Sequence, residues 1–381
     1  MKKLPLIVGL AAVALALSWQ ALTVHYNYGG NWTALFCTGG NVPVPPQLAG
    51  ERIFIFPNST GYDGQFYHYV AHDPFLRKGL AGYIDASQLR YRRILVPLAA
   101  YLLAGGSDRF VDAAYFVVVL LSVFLGACWL SRYVSLCGRH PAWGLCFLLA
   151  PATIISMDRL VVDGALAALT VGFALYARHG PPWKVFLVLA CAMLTRETGF
   201  LLLAGYCLYM LSRRLLLKTA LFSAAAVPAL AWYSFVQPRT QGDLIATFLQ
   251  IPSSLELFVT ARYALPDLLA GAITVLDYLV ALGIVLAVVL AIHFVLKKPP
   301  GPVELAGLVF GLMTAWIAGF ITMQDPYTYP RVVSPLLVLV ALSGLSRNTL
   351  IGLLPAALVT PRVAAQLGPQ VLGVLRGLFP H

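Results

Sequence analysis

The chain has 381 residues, of which 60% are hydrophobic and only 11% charged, with a formal net charge of +11. A soluble domain carries about twice that charged fraction, so the composition excludes a soluble globular protein. The long Leu/Ala/Val runs exclude a β-barrel, which shows short alternating segments, and leave an all-α polytopic membrane protein whose backbone hydrogen bonds are satisfied within helices.

Lys2 and Lys3 precede an apolar run over Leu4 to Val24, long enough to span a bilayer and read as an uncleaved first helix with its N-terminus in the cytoplasm. Residues 25–92 form a long first extracytoplasmic loop rich in Gly, Pro and aromatics, stiffened by Pro43-Val-Pro45-Pro46 and carrying short helices. The stretch Ile94–Ala104 is too short for a hydrocarbon core of about 30 Å and predicts a re-entrant or interfacial helix. Spans follow near 110–131, 142–157 and 159–178. The stretch 185–211 must cross twice, broken at Thr195-Arg196-Glu197-Thr198-Gly199. A second outer loop covers 237–266, with later spans near 267–296 and 332–346. The tail 348–381 is weakly apolar and interrupted by Pro355 and Pro361, as a marginal span or an interfacial helix would be. The whole of 1–381 reads as one integral membrane domain of about eleven membrane helices.

The basic residues sort these spans. Arg132, Arg139, His140, Arg178, Lys184, Arg213, Arg214, Lys218, Lys297, Lys298 and Arg347 all fall on the cytoplasmic side under one alternation, the positive-inside pattern, which also removes nucleic acid as a partner. The same alternation puts Asp63, Asp73, Asp158, Arg159, Asp163, Arg196, Glu197, Asp325 and Arg331 on or near the extracytoplasmic side. A charge within a span costs about 2.5–3.5 kcal/mol on insertion scales, so such residues need a pair, water or a function. The six cysteines show neither a disulfide framework nor zinc-ligand spacing.

Gly61 to Asp73 is the densest polar stretch, with two carboxylates, two histidines and four aromatics. Asp63 is read as a catalytic base or as a helix N-cap, roles that are compatible. Asp73, just before Pro74, suits a helix-ending turn or a substrate contact. His68 and His72 stand at i,i+4, a metal-ligand spacing. The glutamate of an HExxH motif is absent and spacing offers no third ligand, so the histidines are assigned hydrogen-bonding or stacking roles and no metal is assigned. Arg90, Arg92 and Arg93 suit either lipid headgroups or a phosphate, which the guanidinium fork fits. Arg159 and Asp163 are spaced to pair with each other on a helix. Arg196 and Glu197 interrupt an apolar run, and Arg331 opens a span after Tyr327-Thr-Tyr-Pro330.

Tyr62-Asp63-Gly-Gln-Phe-Tyr67 resembles the W-D-x-x-Y pattern in the first outer loop of the GPI mannosyltransferase branch of the class C (GT-C) glycosyltransferases. Arg92-Arg93-Ile-Leu-Val-Pro97, Pro151…Asp158-Arg159…Asp163, Leu194-Thr-Arg-Glu-Thr-Gly199 and Tyr329-Pro-Arg331-Val-Val-Ser-Pro335 support the resemblance, which covers residues 1 to about 346. Within it, bacterial membrane proteins described as cell-surface glycopolymer formation proteins are the nearest in pattern. The resemblance implies a GT-C-like bundle in a bacterial cytoplasmic membrane with its active site facing the periplasm or exterior. It implies transfer of a sugar from a polyprenyl-phosphate donor to a glycan or glycolipid acceptor. Asp63 would be the base. Arg331, Arg196 and one of Arg92 or Arg93 would hold the departing phosphate, and Tyr62, Gln65, Tyr67, His68, Asp73, Asp158, Arg159, Asp163 and Glu197 would complete the substrate site. The chain departs from some branches in lacking an Asp-x-Asp or Asp-Glu pair, which leaves metal dependence and donor identity open. The rival expectation is a transporter or flippase of a lipid-linked sugar, built around the broken 185–211 pair.

Overall fold

The computed structural model describes residues 3–242, 267–297, 299–318 and 328–379. Lys298, Asp325, Tyr327 and most of the expected second outer loop (243–266) lie outside the described residues. In chain order the α-helices are α1 (Leu4–Tyr28), α2 (Asp63–His72), α3 (Ser87–Arg92), α4 (Leu95–Leu103), α5 (Asp108–Leu136), α6 (Pro151–Arg159), α7 (Asp163–His179) and α8 (Pro182–Thr195). They continue with α9 (Gly199–Ser212), α10 (Leu216–Ser223), α11 (Val227–Val236), α12 (Asp267–Lys297), α13 (Pro302–Ala318), α14 (Thr328–Ser346), α15 (Leu354–Ala365) and α16 (Gly368–Leu378). A two-residue parallel pairing of Thr38–Gly39 with Ile55–Phe56 is the only sheet among the described residues.

Among the described residues, five helical stretches are long and apolar enough to cross a membrane: Leu4–Tyr28, Asp108–Leu136, Leu216–Arg239, Asp267–Lys297 and Tyr329–Ser346. Two bent pairs raise the number to seven if each is one span, Pro141–Leu149 with Pro151–Arg159 at 60° and Ile351–Ala365 with Gly368–Leu378 at 55°. The chain is therefore a nearly all-α, multi-pass membrane protein.

Local chemistry accounts for the places where helices end. α1 runs one turn past Val24 and stops at Gly29, which adopts φ 57°, a left-handed conformation that suits glycine. The expected single span near 142–157 is instead a 3₁₀ helix, Pro141–Leu149, followed by α6. Pro151 opens α6 at a position where its missing N–H is harmless, but that N–H is lost to any helix continuing through it. The stretch 185–211 divides as expected, into α8 and α9 of 14 residues each. A Cβ at Gly199 would lie 2.3 Å from the Ala192 carbonyl carbon and oxygen, so only glycine lets the two helices meet this closely beside Arg196 and Glu197. The tail is more integrated than its weak hydropathy predicts: α15 packs on α12, and Arg362 Nε donates to Asp277 Oδ1 at 2.6 Å between them.

The main apolar core, including Phe147, Leu166, Phe173, Leu189, Ile284 and Leu336, lies among the long helices. The segment between α1 and α5 has its own smaller core of Leu48, Phe66, Val70, Leu80, Ile84 and Tyr91. That core fixes α2 and α3 against each other. It also positions the polar residues described next.

Candidate functional site

Asp63 is the first residue of α2, and Tyr62 holds the N-cap position without a side-chain cap bond. The capping role expected of Asp63 is thus not the one its carboxylate takes. Arg90 Nη2 donates to Asp63 Oδ1 at 2.9 Å, and Arg90 Nη1 lies 2.8 Å from Oδ2. Arg331 Nη2 donates to the same Oδ2. Burial raises the carboxyl's pKa, but Arg331 and then Arg90 outweigh it and hold the group well below the usual carboxylate range. Its stabilising contribution is therefore complete above an ordinary carboxylate pKa of about 3.9 and fades only as the pH falls below that value.

The ion pairs continue in an unbroken series. Arg90 also grips Asp85 through Nε and Nη2, each at 2.9 Å. Arg331 Nη1 lies 3.8 Å from Asp163 Oδ2, and Asp163 accepts from Arg196 through Oδ1. Arg196 Nε lies 3.5 Å from Glu197 Oε1. Glu197 is held by the Arg93 fork at 2.9 and 2.6 Å, and Arg93 also donates to the Tyr67 hydroxyl at 3.0 Å. Aromatic rings line this series: Arg90 lies 5.2 Å from the Phe66 centroid and Arg331 4.9 Å from that of Tyr62.

α2, α3, the α8–α9 corner, α7 and α14 thus deliver Arg90, Arg93, Arg196 and Arg331 against Asp63, Asp85, Asp163 and Glu197. A Cβ at Gly64 would lie 2.0 Å from the Arg159 carbonyl oxygen. The absence of a side chain there lets the start of α2 settle against the end of α6. Although the four arginines are matched by four carboxylates, hydrogen bonding is incomplete. Arg196 Nε, Arg331 Nε and Arg331 Nη1 are buried with no hydrogen-bond acceptor among the described residues. Unmet buried donors of this kind are costly.

Other expected site residues are placed differently. Asp73 accepts from the backbone N–H groups of Arg77, Lys78 and Leu80 at 2.6, 2.9 and 3.4 Å, which is the turn role. Gln65 joins the loop to α2 by accepting from Gly39 N–H and donating to Thr60 C=O. Arg92 lies over the Tyr233 ring, 5.0 Å from its centroid, with no ion pair among the described residues. The expected Arg159–Asp163 pairing does not form, because Leu160 at φ 47° ends α6 and breaks the i,i+4 geometry. Arg159 instead pairs with Asp158 at 3.0 Å and reaches Cys37 Sγ at 3.1 Å. Asp158 also accepts from Gln370 of α16 at 3.1 Å.

His68 and His72 form a second polar group with Glu51 and Asp112, whose candidate ligand atoms all lie within 4.8 Å of one another. Burial pulls the His68 imidazole pKa down, but Asp112 and Glu51 outweigh it and lift the ring to about 9. Sequence spacing could not provide these carboxylates. It did offer a signal for Arg90, which stands three residues before Arg93 and so on the same side of a helix, whereas Arg92 does not.

No family model, curated protein or solved structure matches the chain.

Proposed function

We propose that the chain is a membrane glycosyltransferase. It transfers a sugar from a polyprenyl-phosphate donor to a cell-surface glycan or lipid-linked acceptor at the extracytoplasmic face of a bacterial cytoplasmic membrane. The observation that carries this reading is the set of buried guanidinium donors on Arg196 and Arg331, without acceptors among the described residues, beside the Asp63 carboxylate. A phosphate provides several acceptor oxygens and the charge that such forks bind. An apolar cavity of about 450 Å³, lined in part by Leu95, Val96, Ala165, Ala168, Leu187 and Cys191, adds a place for a lipid chain. Its lining runs from Leu95 and Ala165, each two residues along the chain from Arg93 and Asp163, to Trp183 and Lys184, and includes no member of the arginine series. In this reading α7, α8, α9 and α13 cross with the seven longer or paired stretches, for eleven helices in a GT-C-like bundle.

The chemistry follows from the charge balance. Asp63 clamped by two arginines is a weak base. A donor phosphate that draws Arg331 toward itself releases part of that clamp and restores basicity where it is used. The acceptor hydroxyl then attacks the anomeric carbon while its proton passes to Asp63. The bond between the anomeric carbon and the phosphate oxygen breaks, and polyprenyl phosphate leaves with its charge held by Arg331 and Arg196. Tyr62 and Phe66 supply ring surface for the sugar.

The competing transporter reading draws on the α8–α9 break, which carries Arg196 and Glu197 between two short helices as discontinuous transport helices do. The deciding experiment is turnover in detergent, where no gradient exists. Purified full-length protein is given radiolabelled polyprenyl-phosphate hexose or pentose with extracted envelope glycolipid. Time-dependent release of polyprenyl phosphate together with a labelled acceptor is expected. Failure of both donor classes, with movement of intact labelled donor across proteoliposomes, would replace this reading with transport.

A further inference from the structure

We infer that Glu51, His68, His72 and Asp112 form a binding site for one divalent transition-metal ion, of which zinc is the representative, and that the ion braces α2. The inference is independent of glycosyl transfer and rests on the geometry of these four side chains.

His68 and His72 lie one turn apart on α2, Glu51 comes from the preceding loop and Asp112 from the first turns of α5. His68 Nε2 lies 3.4 Å from Glu51 Oε2 and 2.8 Å from Asp112 Oδ1. His72 Nε2 lies 3.4 Å from Glu51 Oε1 and 3.4 Å from Asp112 Oδ1. Ligands about 2.0–2.1 Å from a tetrahedral zinc ion stand roughly 3.3–3.4 Å from one another. The two Glu51 separations and that of His72 from Asp112 match this edge, Glu51 meeting each histidine through a different oxygen. With one ligand atom taken from each residue the four lie within 4.8 Å, a set that closes by small side-chain movements.

Two further observations point to an ion at the centre. His68 is completely buried, and neither ring nitrogen has a hydrogen-bond partner among the described residues, nor does Glu51 Oε2. The short His68–Asp112 approach lacks hydrogen-bond alignment, and Phe36 fixes the His68 ring by stacking at 4.2 Å and 13°. On the other histidine, Nδ1 lies 2.9 Å from Asp108 Oδ1, and Lys78 holds Asp108 at 2.6 and 2.8 Å. A carboxylate on the far nitrogen directs Nε2 of His72 inward as a ligand, the usual outer support of a metal-bound histidine.

Charge favours the same occupant. Two carboxylates with two neutral imidazoles require two positive charges, which one divalent ion supplies, whereas a single proton on His68 leaves one negative charge unmatched. All four positions are protein side chains, the closed arrangement of a structural site. His68 lies five residues beyond Asp63 on α2, well around the helix from it, so the ion bears on Asp63 only by fixing their shared helix to α5 and the loop.

The test uses full-length protein purified in detergent through a tag that binds no metal, incubated with Zn²⁺ and desalted. About one zinc per chain is expected, with a lower melting temperature in chelator that Zn²⁺ restores. His72→Gln and Asp112→Asn each lose the ion, while Asp108→Asn weakens its retention by roughly 10- to 100-fold. If those variants do not fold, the chelator response of the unaltered protein decides. Zinc below roughly a tenth of an equivalent, with melting indifferent to both Zn²⁺ and chelator, overturns the site. So does full retention of zinc in folded His72→Gln and Asp112→Asn proteins.

Discussion

At one end of α7, Arg178 pairs with Glu304 at 2.5 Å, and Arg347, just beyond α14, approaches the same carboxylate at 3.6 Å. At the other end, about 22 Å away at 1.5 Å per residue, Asp163 joins Arg196, and Arg331 near the start of α14 joins Asp63. The two groups use the same residue types but differ in solvation. The Arg178 and Arg347 side chains are 20% and 14% exposed and so are partly open at the protein surface. Those of Arg196 and Arg331 are 7% and 6% exposed and retain buried donors with no hydrogen-bond acceptor among the described residues. A closed pair with exposed donors needs no further partner, whereas a buried group with unmet donors is the one to which the proposed function assigns a ligand.

The strongest way to break that contrast is to remove one carboxylate from each end. Asp63→Asn leaves buried Arg90 with Asp85 alone and buried Arg331 with only Asp163 at 3.8 Å, so its cost lies below the roughly 3–5 kcal/mol of a buried charge stripped of its whole partner. If Asp63 is the base of the proposed transfer, the change also removes the proton acceptor, for a rate loss of roughly 10²–10⁴. Glu304→Gln is expected to lower the melting temperature as well, less severely because its arginines are more exposed, but to leave the turnover of folded protein near the unaltered value. Melting in detergent and turnover per folded molecule are measured on both. Near-normal turnover in folded Asp63→Asn protein, or a matching rate loss in Glu304→Gln, removes the functional distinction between the two ends.

A smaller change sharpens the role assigned to the buried arginines. In Arg196→Lys and Arg331→Lys the charge stays but the planar fork is lost. If each gives up one charge-assisted hydrogen bond of about 1.5–3 kcal/mol, turnover falls roughly ten- to a hundredfold. Arg178→Lys serves as the control and is expected to keep its turnover. Full turnover in all three would show that charge alone suffices at both ends, and equal losses in all three would erase the distinction between them.

The parts of the fold that follow from short-range pattern are legible in the sequence. The α8–α9 break was legible because charged residues interrupt an apolar run, and α4 because its run is too short to span. Asp163, Arg196, Glu197 and Arg331 could be grouped by parity. What was not legible depended on backbone turns or distant packing. Leu160 entering the left-handed region redirects Arg159 from Asp163 to Asp158, and no helical spacing rule anticipates that. Glu51 and Asp112 reach the histidines from separate segments, so the i,i+4 pair looked two ligands short. Arg362, in a tail that hydropathy alone left marginal, meets Asp277 only because α15 packs on α12.

Arg92 provides the smallest and most discriminating test of where the buried arginine group ends. By motif it belongs with Arg93, but its guanidinium meets the Tyr233 ring rather than a carboxylate. Its Nε also lacks an acceptor among the described residues, as Arg196 Nε does. If an unmet donor were enough to mark a phosphate ligand, Arg92 would qualify. If membership in the continuous ion-pair series is what matters, Arg92 lies outside it and Arg90 inside. On the second view, Arg92→Gln loses a cation–π contact of about 0.5–1 kcal/mol and turnover changes by less than roughly twofold. Arg90→Gln, which frees one side of Asp63, reduces turnover much more. Paired assays of folded Arg92→Gln and Arg90→Gln protein measure this directly. A larger loss in Arg92→Gln would extend the phosphate site toward Tyr233 and show that ion pairing with Asp63 is a poor guide to its boundary.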